Sequence, residues 1–293
     1  MTALATGPAA PAAFATRDDV LGALAHGRDV ALSAYVLAPG NAVARALDAA
    51  AGRGAAVAVT LEDFESGGPA ARGLHGLARR TADDLRAHGA RVSLGVPNGD
   101  VVHLKAAVVD GTAYLDDRNW AAAGETIVAV RDPERVALVR AAIRGETGCA
   151  AGLATEKAGA LELEAEAIRS GGDRIDLETE SFGSCAVERA LRERAESGAT
   201  VRLLVSGRVA FAKGSERERA VLHRLAAAGV AIRTTDANEK LCVAGDAGWV
   251  GSANATYDAV PTTDWGLRVR EPPLLAALET SFASEWRSAR PFA

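Results

Sequence analysis

The sequence predicts an α/β layer protein built from two copies of one unit, each a mixed, mainly parallel sheet flanked by helices. Three observations predict this class. Short apolar runs rich in β-branched residues alternate with helical patterns, three blocks recur in the same order in both halves, and 293 residues suit two units of about 150.

Residues 1–16 are Ala- and Pro-rich with no basic stretch and no long apolar run, which predicts a flexible tail and no secretory signal. In the first unit, residues 17–155, Ala46–Val57 reads as an amphipathic helix stopped at Gly52-Arg53-Gly54, and Val57–Leu61 as a buried strand. Gly67–Gly76 is Gly-rich and is expected as a loop carrying His75 over a site. Leu85–Leu94 again reads as helix, Gly and strand, Ala106–Val109 as a buried strand, and Glu125–Ile143 as a strand, a Pro break and a helix. The second unit, residues 156–293, opens with a helix over Glu156–Arg169. Ile175–Glu180 follows as a strand with Glu178 and Glu180 on one face, aligned with Ser33 and Tyr35. Ala190–Val201, Leu225–Thr234 and Asp264–Phe282 then repeat the three blocks in order.

The charge balance, 33 basic against 38 acidic residues, argues against a protein that coats nucleic acid non-specifically, because that affinity comes from basic residues neutralising phosphates. No window approaches 18 consecutive apolar residues, so no transmembrane segment is expected. Three widely spaced cysteines without a C-x-x-C pair fit reduced thiols in the cytoplasm better than disulfides or a zinc site. Arg-rich, Lys-poor usage reflects GC-rich coding, and it makes the four lysines, 105, 157, 213 and 240, individually informative.

Two of these lysines occupy matched places. His103-Leu104-Lys105 is followed by Asp110 and then by Asp116-Asp117-Arg118-Asn119; in the second unit Asn238-Glu239-Lys240 is followed by Gly245 and then by Gly251-Ser252-Ala253-Asn254. Both lysines stand fourteen positions before their asparagine, so the segments align without a gap. Alternation along a strand would project His103 and Lys105 from one face.

This duplicated block resembles the H-x-K-x4-D and G-S-x-N motifs of the phospholipase D superfamily. The resemblance implies a phosphodiesterase or a phosphatidyl or phosphoryl transferase with two pseudo-twofold-related repeats and one site at their seam, needing no metal or other cofactor. It implies His103 as nucleophile, Lys105, Lys240, Asn119 and Asn254 as a phosphate clamp, and Asp264 and Glu125 as carboxylates orienting the site across the repeats. The implied substrate is a small phosphodiester or a phospholipid; the oligomeric state is open.

The second motif departs from the pattern. Asn238 stands where His belongs and cannot protonate an alkoxide, and Gly245 replaces Asp; in the first unit Asp116-Asp117 replaces Gly-Ser. Three outcomes follow: a leaving group that needs no acid, a substitute acid from Glu178 or Glu180, or a catalytically decayed module that binds a phosphorylated ligand or protein partner. Asp117, Ser252, Asn238, Glu178 and Glu180 are therefore candidate substrate-binding residues. Two carboxylates at 116 and 117 would repel an anion, or would favour a cationic group on the substrate. Asp110 is expected to be structural, and Trp120 and Trp265 either core or pocket wall.

Overall fold

The computed structural model describes residues 12–65, 69–120, 126–236, 239–256 and 261–292. In the first half the elements are β1 (Ala13–Ala15), α1 (Arg17–His26), β2 (Asp29–Ala34), α2 (Ala42–Gly52), β3 (Ala56–Leu61), α3 (Pro69–Ala87), β4 (Arg91–Leu94), β5 (Val101–Val102), β6 (Ala106–Val109), β7 (Thr112–Asp116), β8 (Ile127–Val130) and α4 (Pro133–Ala142). The second half adds β9 (Cys149–Ala150), β10 (Leu153–Glu156), α5 (Lys157–Ser170), β11 (Arg174–Thr179), α6 (Ala186–Glu196), β12 (Thr200–Ser206), α7 (Gly207–Ala210), α8 (Glu216–Ala227), β13 (Ala231–Thr235), β14 (Leu241–Ala244), β15 (Ala247–Gly251), β16 (Thr262–Val269), α9 (Pro272–Ser288) and β17 (Arg290–Pro291).

The two halves share one topology. The first sheet runs β1-β8-β7-β6-β2-β3-β4, and the second runs β9-β10-β16-β15-β14-β11-β12-β13-β17, the same order with one extra strand at each edge. The α/β class and the two helix-flanked mixed sheets are as expected. The balance of pairings is not: among the strands of the described residues β2-β3-β4, β11-β12-β13 and the β5–β16 pair are parallel, and the other pairings are antiparallel. Helical crossovers make the parallel neighbours. Beyond β4 and β13 the chain returns through tight turns such as Asp110-Gly111, with φ of +45° and +87°, and hairpins pair antiparallel. The Gly-rich stretch is also corrected, because Pro69–Ala87 is one helix and His75 sits within it, bonded through Nδ1 to the Asp63 carbonyl.

The halves are joined by packing as well as by chain. One apolar cluster combines Leu104, Val108, Leu115 and Val128 of the first half with Leu204, Val243, Val250, Trp265 and Leu267 of the second. β5 leaves its own sheet to pair in parallel with β16, Val101 opposite Thr262 and Val102 opposite Thr263. In return β9 and β10, residues 149–156, extend the second sheet from β16.

The motif residues Asp110 and Gly245 show how the halves diverged. Asp110, an exposed residue, accepts hydrogen bonds from the backbone N–H groups of Arg28 and Asp29 at 2.9–3.2 Å and fixes the start of β2. At Gly245 the corresponding loop has moved in: a Cβ there would lie 2.8 Å from the Gly172 nitrogen. Direct backbone packing has replaced the carboxylate bridge.

Candidate active site

Because β5 belongs to the second sheet and β6 to the first, His103-Leu104-Lys105 is the link in which the chain passes between sheets. Leu104 is fully buried in the shared core, and Ser33 Oγ donates to its carbonyl at 3.0 Å. His103 and Lys105 flank this anchor and meet at one ring. Tyr35 packs edge-on to the imidazole with centroids 4.9 Å apart, and Lys105 Nζ lies 5.5 Å from the Tyr35 centroid. The two side chains therefore share a side, though the link is irregular and not a strand.

His103 Nδ1 lies 2.7 Å from Oδ1 of Asp264, a fully buried residue of β16. The same carboxylate accepts from Ser252 Oγ at 2.7 Å and Thr262 Oγ1 at 2.8 Å. A carboxylate fed by two hydroxyl donors is an acceptor towards the ring, so the proton sits on Nδ1 and the Nε2 lone pair is free. Among the described residues Nε2 makes no hydrogen bond. Burial lowers the imidazole pKa, and the charges of Lys105 and Lys240 lower it further, together outweighing Asp264, so the ring is neutral at pH 7. Burial would raise the Asp264 carboxyl, but the charge and hydrogen bond of His103, then Lys105 and Ser252, hold it below the usual carboxylate range.

The two lysines are 2% and 3% exposed. Burial pushes Lys105 down to about 7, with Lys240 adding to the shift while Asp264, Asp116 and Glu180 oppose it. Lys240 Nζ lies 3.8 Å from Glu180 Oε2. Asn119 and Asn254 follow the ends of β7 and β15, and each buries an Oδ1 that has no hydrogen-bond partner among the described residues.

Asp116 and Asp117 present no pair of charges to this site. Both are fully buried: Asp116 accepts from the Trp120 N–H at 2.7 Å, and Asp117 from the Thr126 N–H at 2.9 Å. Burial, reinforced by Asp116, pushes Asp117 up to about 8, and burial raises Asp116 as well. Asp117 occupies the place that Ser252 holds in the other half, since Ser252 Oγ likewise accepts the Trp265 N–H at 3.0 Å. Both tryptophans are buried and bonded, Trp120 Nε1 to the Ser33 carbonyl and Trp265 Nε1 across the seam to the Asp116 carbonyl. They are core residues that brace the site.

Residues 165–286 match a family model described as "Cardiolipin synthase, PLD-like domain". Phosphatidylserine synthase of Haemophilus influenzae Rd KW20 superposes with a TM-score of 0.67 at 12% identity, over 96% of this chain and 87% of that one. The chain shares the phospholipase D fold, and residues 165–286 of it match the phospholipase D-like family model. A second superfamily-fold neighbour, polyphosphate kinase of Porphyromonas gingivalis, has a TM-score of 0.69 at 16% identity over 94% of this chain; the chain spans only 47% of that protein. No curated protein matches by sequence.

Set on this phospholipase D fold, the motif residues fall into two groups. His103, Lys105, Lys240, Ser252, Asp264 and Glu180 are linked by the contacts above. Glu178 is not among them: its carboxyl faces Glu239, Glu285 and Arg118. Glu125 and Asn238 lie outside the described residues. Among the described residues no group of three or more His, Cys, Asp or Glu is arranged to hold a metal ion, and no helix is long and apolar enough to cross a membrane. Sequence reading missed Tyr35 as the ring between His103 and Lys105, Thr262 as the third donor to Asp264, and Glu62, whose buried carboxylate accepts the Val102 N–H at 2.6 Å and fixes β5. Only Arg118 left a trace, as a charge where the second half has Ala253.

Proposed function

We propose that the protein is a phosphodiesterase or a phosphatidyl or phosphoryl transferase that works through a phosphohistidine on His103. The observation that carries this reading is a neutral imidazole, tied through Nδ1 to Asp264, with a free Nε2 beside two buried lysines. Asp264 acts as a positioning residue that holds the tautomer.

In the first step the Nε2 lone pair attacks phosphorus, an N–P bond forms, and the P–O bond to the leaving group breaks. Lys105 and Lys240, with Asn119 and Asn254, hold the non-bridging oxygens as charge builds. Once the substrate phosphate draws Lys240 away from it, Glu180 takes up a proton from solvent and passes it to the leaving oxygen, the task Asn238 cannot perform. In the second step water or an acceptor alcohol gives its proton to Glu180, attacks phosphorus and breaks the N–P bond, restoring the imidazole.

The test uses a labelled diester and a quench in alkaline detergent, where a phosphoramidate survives. Wild type should carry the label and His103→Ala should not. Turnover by His103→Ala at the wild-type rate would overturn the reading. If wild type turns over no diester but binds phosphate through Lys105, the protein is a binding module.

A further inference from the structure

A cavity of about 880 Å3 lies between residues 181–184, residues 209–224 and Thr256, and the charges in its wall are mainly positive. Lys213 and Arg217 line it with no side-chain hydrogen bond or ion pair among the described residues. Arg224 donates there to neutral oxygens, Ser184 Oγ at 3.2 Å and the Ala220 carbonyl at 3.3 Å. Glu218 is the acidic residue of the wall and is already engaged: its carboxylate accepts the Phe182 N–H at 2.9 Å, and burial raises its pKa. Three cations without a carboxylate partner around one concave space attract an anion.

Contacts tie this cavity to the clamp. Glu218 is in electrostatic contact with Glu180, and Glu180 stands 4.0 Å from the Arg208 guanidinium and 3.8 Å from Lys240 Nζ. Phe182 bridges to Ala255, and the Gly183 N–H donates to the Ala255 carbonyl at 2.8 Å, so the segment that carries Asn254 also meets the wall. The side of the site is fixed by the repeat. Tyr35 and Glu180 each follow the last residue of matched strands, β2 and β11. Tyr35 stands against His103 and Lys105, and Glu180 against Lys240, so they flank opposite halves of the site. An in-line displacement that starts from His103 expels its alcohol across phosphorus, on the Glu180 side.

We infer that this cavity is a subsite for a phosphate group on the exchanged alcohol, the one that leaves in the first step or accepts in the second. Two guanidinium groups and an ammonium suit a phosphomonoester, whose oxygens take the paired N–H donors of arginine and whose charge approaches two. The inference rests on the phosphohistidine reading above and deepens it to a reaction whose exchanged alcohol carries an anion of its own.

Transfer from labelled bis-p-nitrophenyl phosphate to glycerol and to glycerol 3-phosphate tests it. In that step the acceptor hydroxyl gives its proton to Glu180, its oxygen bonds phosphorus, and the N–P electron pair returns to His103 Nε2. Glycerol 3-phosphate should reach half-maximal transfer at a concentration about tenfold or more below that of glycerol, as expected for one charge-assisted contact. Lys213→Ala and Arg217→Ala should each remove most of that advantage while hydrolysis by water stays within about twofold. Both residues are exposed, so neither change removes a packed side chain. Equal half-maximal concentrations, transfer to neither alcohol, or an advantage that survives the double variant would overturn the inference, and label on His103 would leave the phosphohistidine standing. Preferred transfer to glycerol 3-phosphate without label on His103 would do the reverse, and a donor left unconsumed would overturn both.

Discussion

Replacing Lys105 by Met keeps the volume of the buried chain and removes its charge, so the pH dependence of the effect reads out the environment of that amine. The folded-state pKa is about 7, against 10.5 for the unfolded chain. Between those values the unfolded chain holds the proton and the folded protein does not, so wild-type stability rises with pH at up to about 1.4 kcal/mol per unit. The variant lacks this slope. From pH 7.5 to 9.5 wild type should therefore gain about 2 to 3 kcal/mol relative to Lys105→Met. His103 is neutral and Asp264 ionised across that window, and neither titration contributes to the difference. Urea unfolding of both proteins at five pH values in a buffer without phosphate or sulfate measures it. Parallel profiles would refute the reasoning, because they would mean that Lys105 keeps its proton in the fold and is fully paired.

The other expectations concern chemistry and packing. Asp264→Asn should lower kcat by about a hundredfold or more with KM within a few-fold, since the amide no longer fixes the Nδ1–H tautomer; an unchanged kcat would remove Asp264 from the positioning role. Glu180→Gln should slow an alkyl-ester substrate by about two to four orders of magnitude and spare a p-nitrophenyl ester, whose leaving group needs no proton; equal loss on both would exclude Glu180 as the acid. Affinity for sulfate, whose charge is constant, should fall as pH rises through 7 because Lys105 loses its proton, and a flat profile to pH 9 would contradict this. Gly245→Ala should cost about 1–3 kcal/mol in urea unfolding, because its Cβ would press on Gly172 at a φ of +63°; a neutral effect would show that the loop can yield.

The duplication was legible because each repeated block carries its own periodicity, and equal spacing from Lys105 and Lys240 to their asparagines held the alignment without a gap. The parallel bias was misjudged because apolar runs such as Ala106–Val109 look alike whether a crossover or a turn follows; the turn at Asp110-Gly111 decides direction, and its signal is two residues long. The carboxylates at 116 and 117 were misleading in a different way. Sequence gives them equal charges, but in the fold burial raises both carboxyls, and Asp116 beside it helps push Asp117 up to about 8, against the opposing pull of the backbone N–H donors. Tyr35, Thr262 and Glu62 had no local pattern at all, since their meaning comes from residues far along the chain.

The strand β5 also fixes when the site can exist. Its pairing of Val101 with Thr262 joins residues 161 positions apart, and the His103–Asp264 bond spans the same separation. Contacts of that range close a long loop and form late, so each half can complete its own local crossovers while His103 still has no carboxylate. Catalytic competence should then lag behind the recovery of helical signal during refolding, and a chain stalled before this last stitch would hold two nearly finished sheets and no nucleophile.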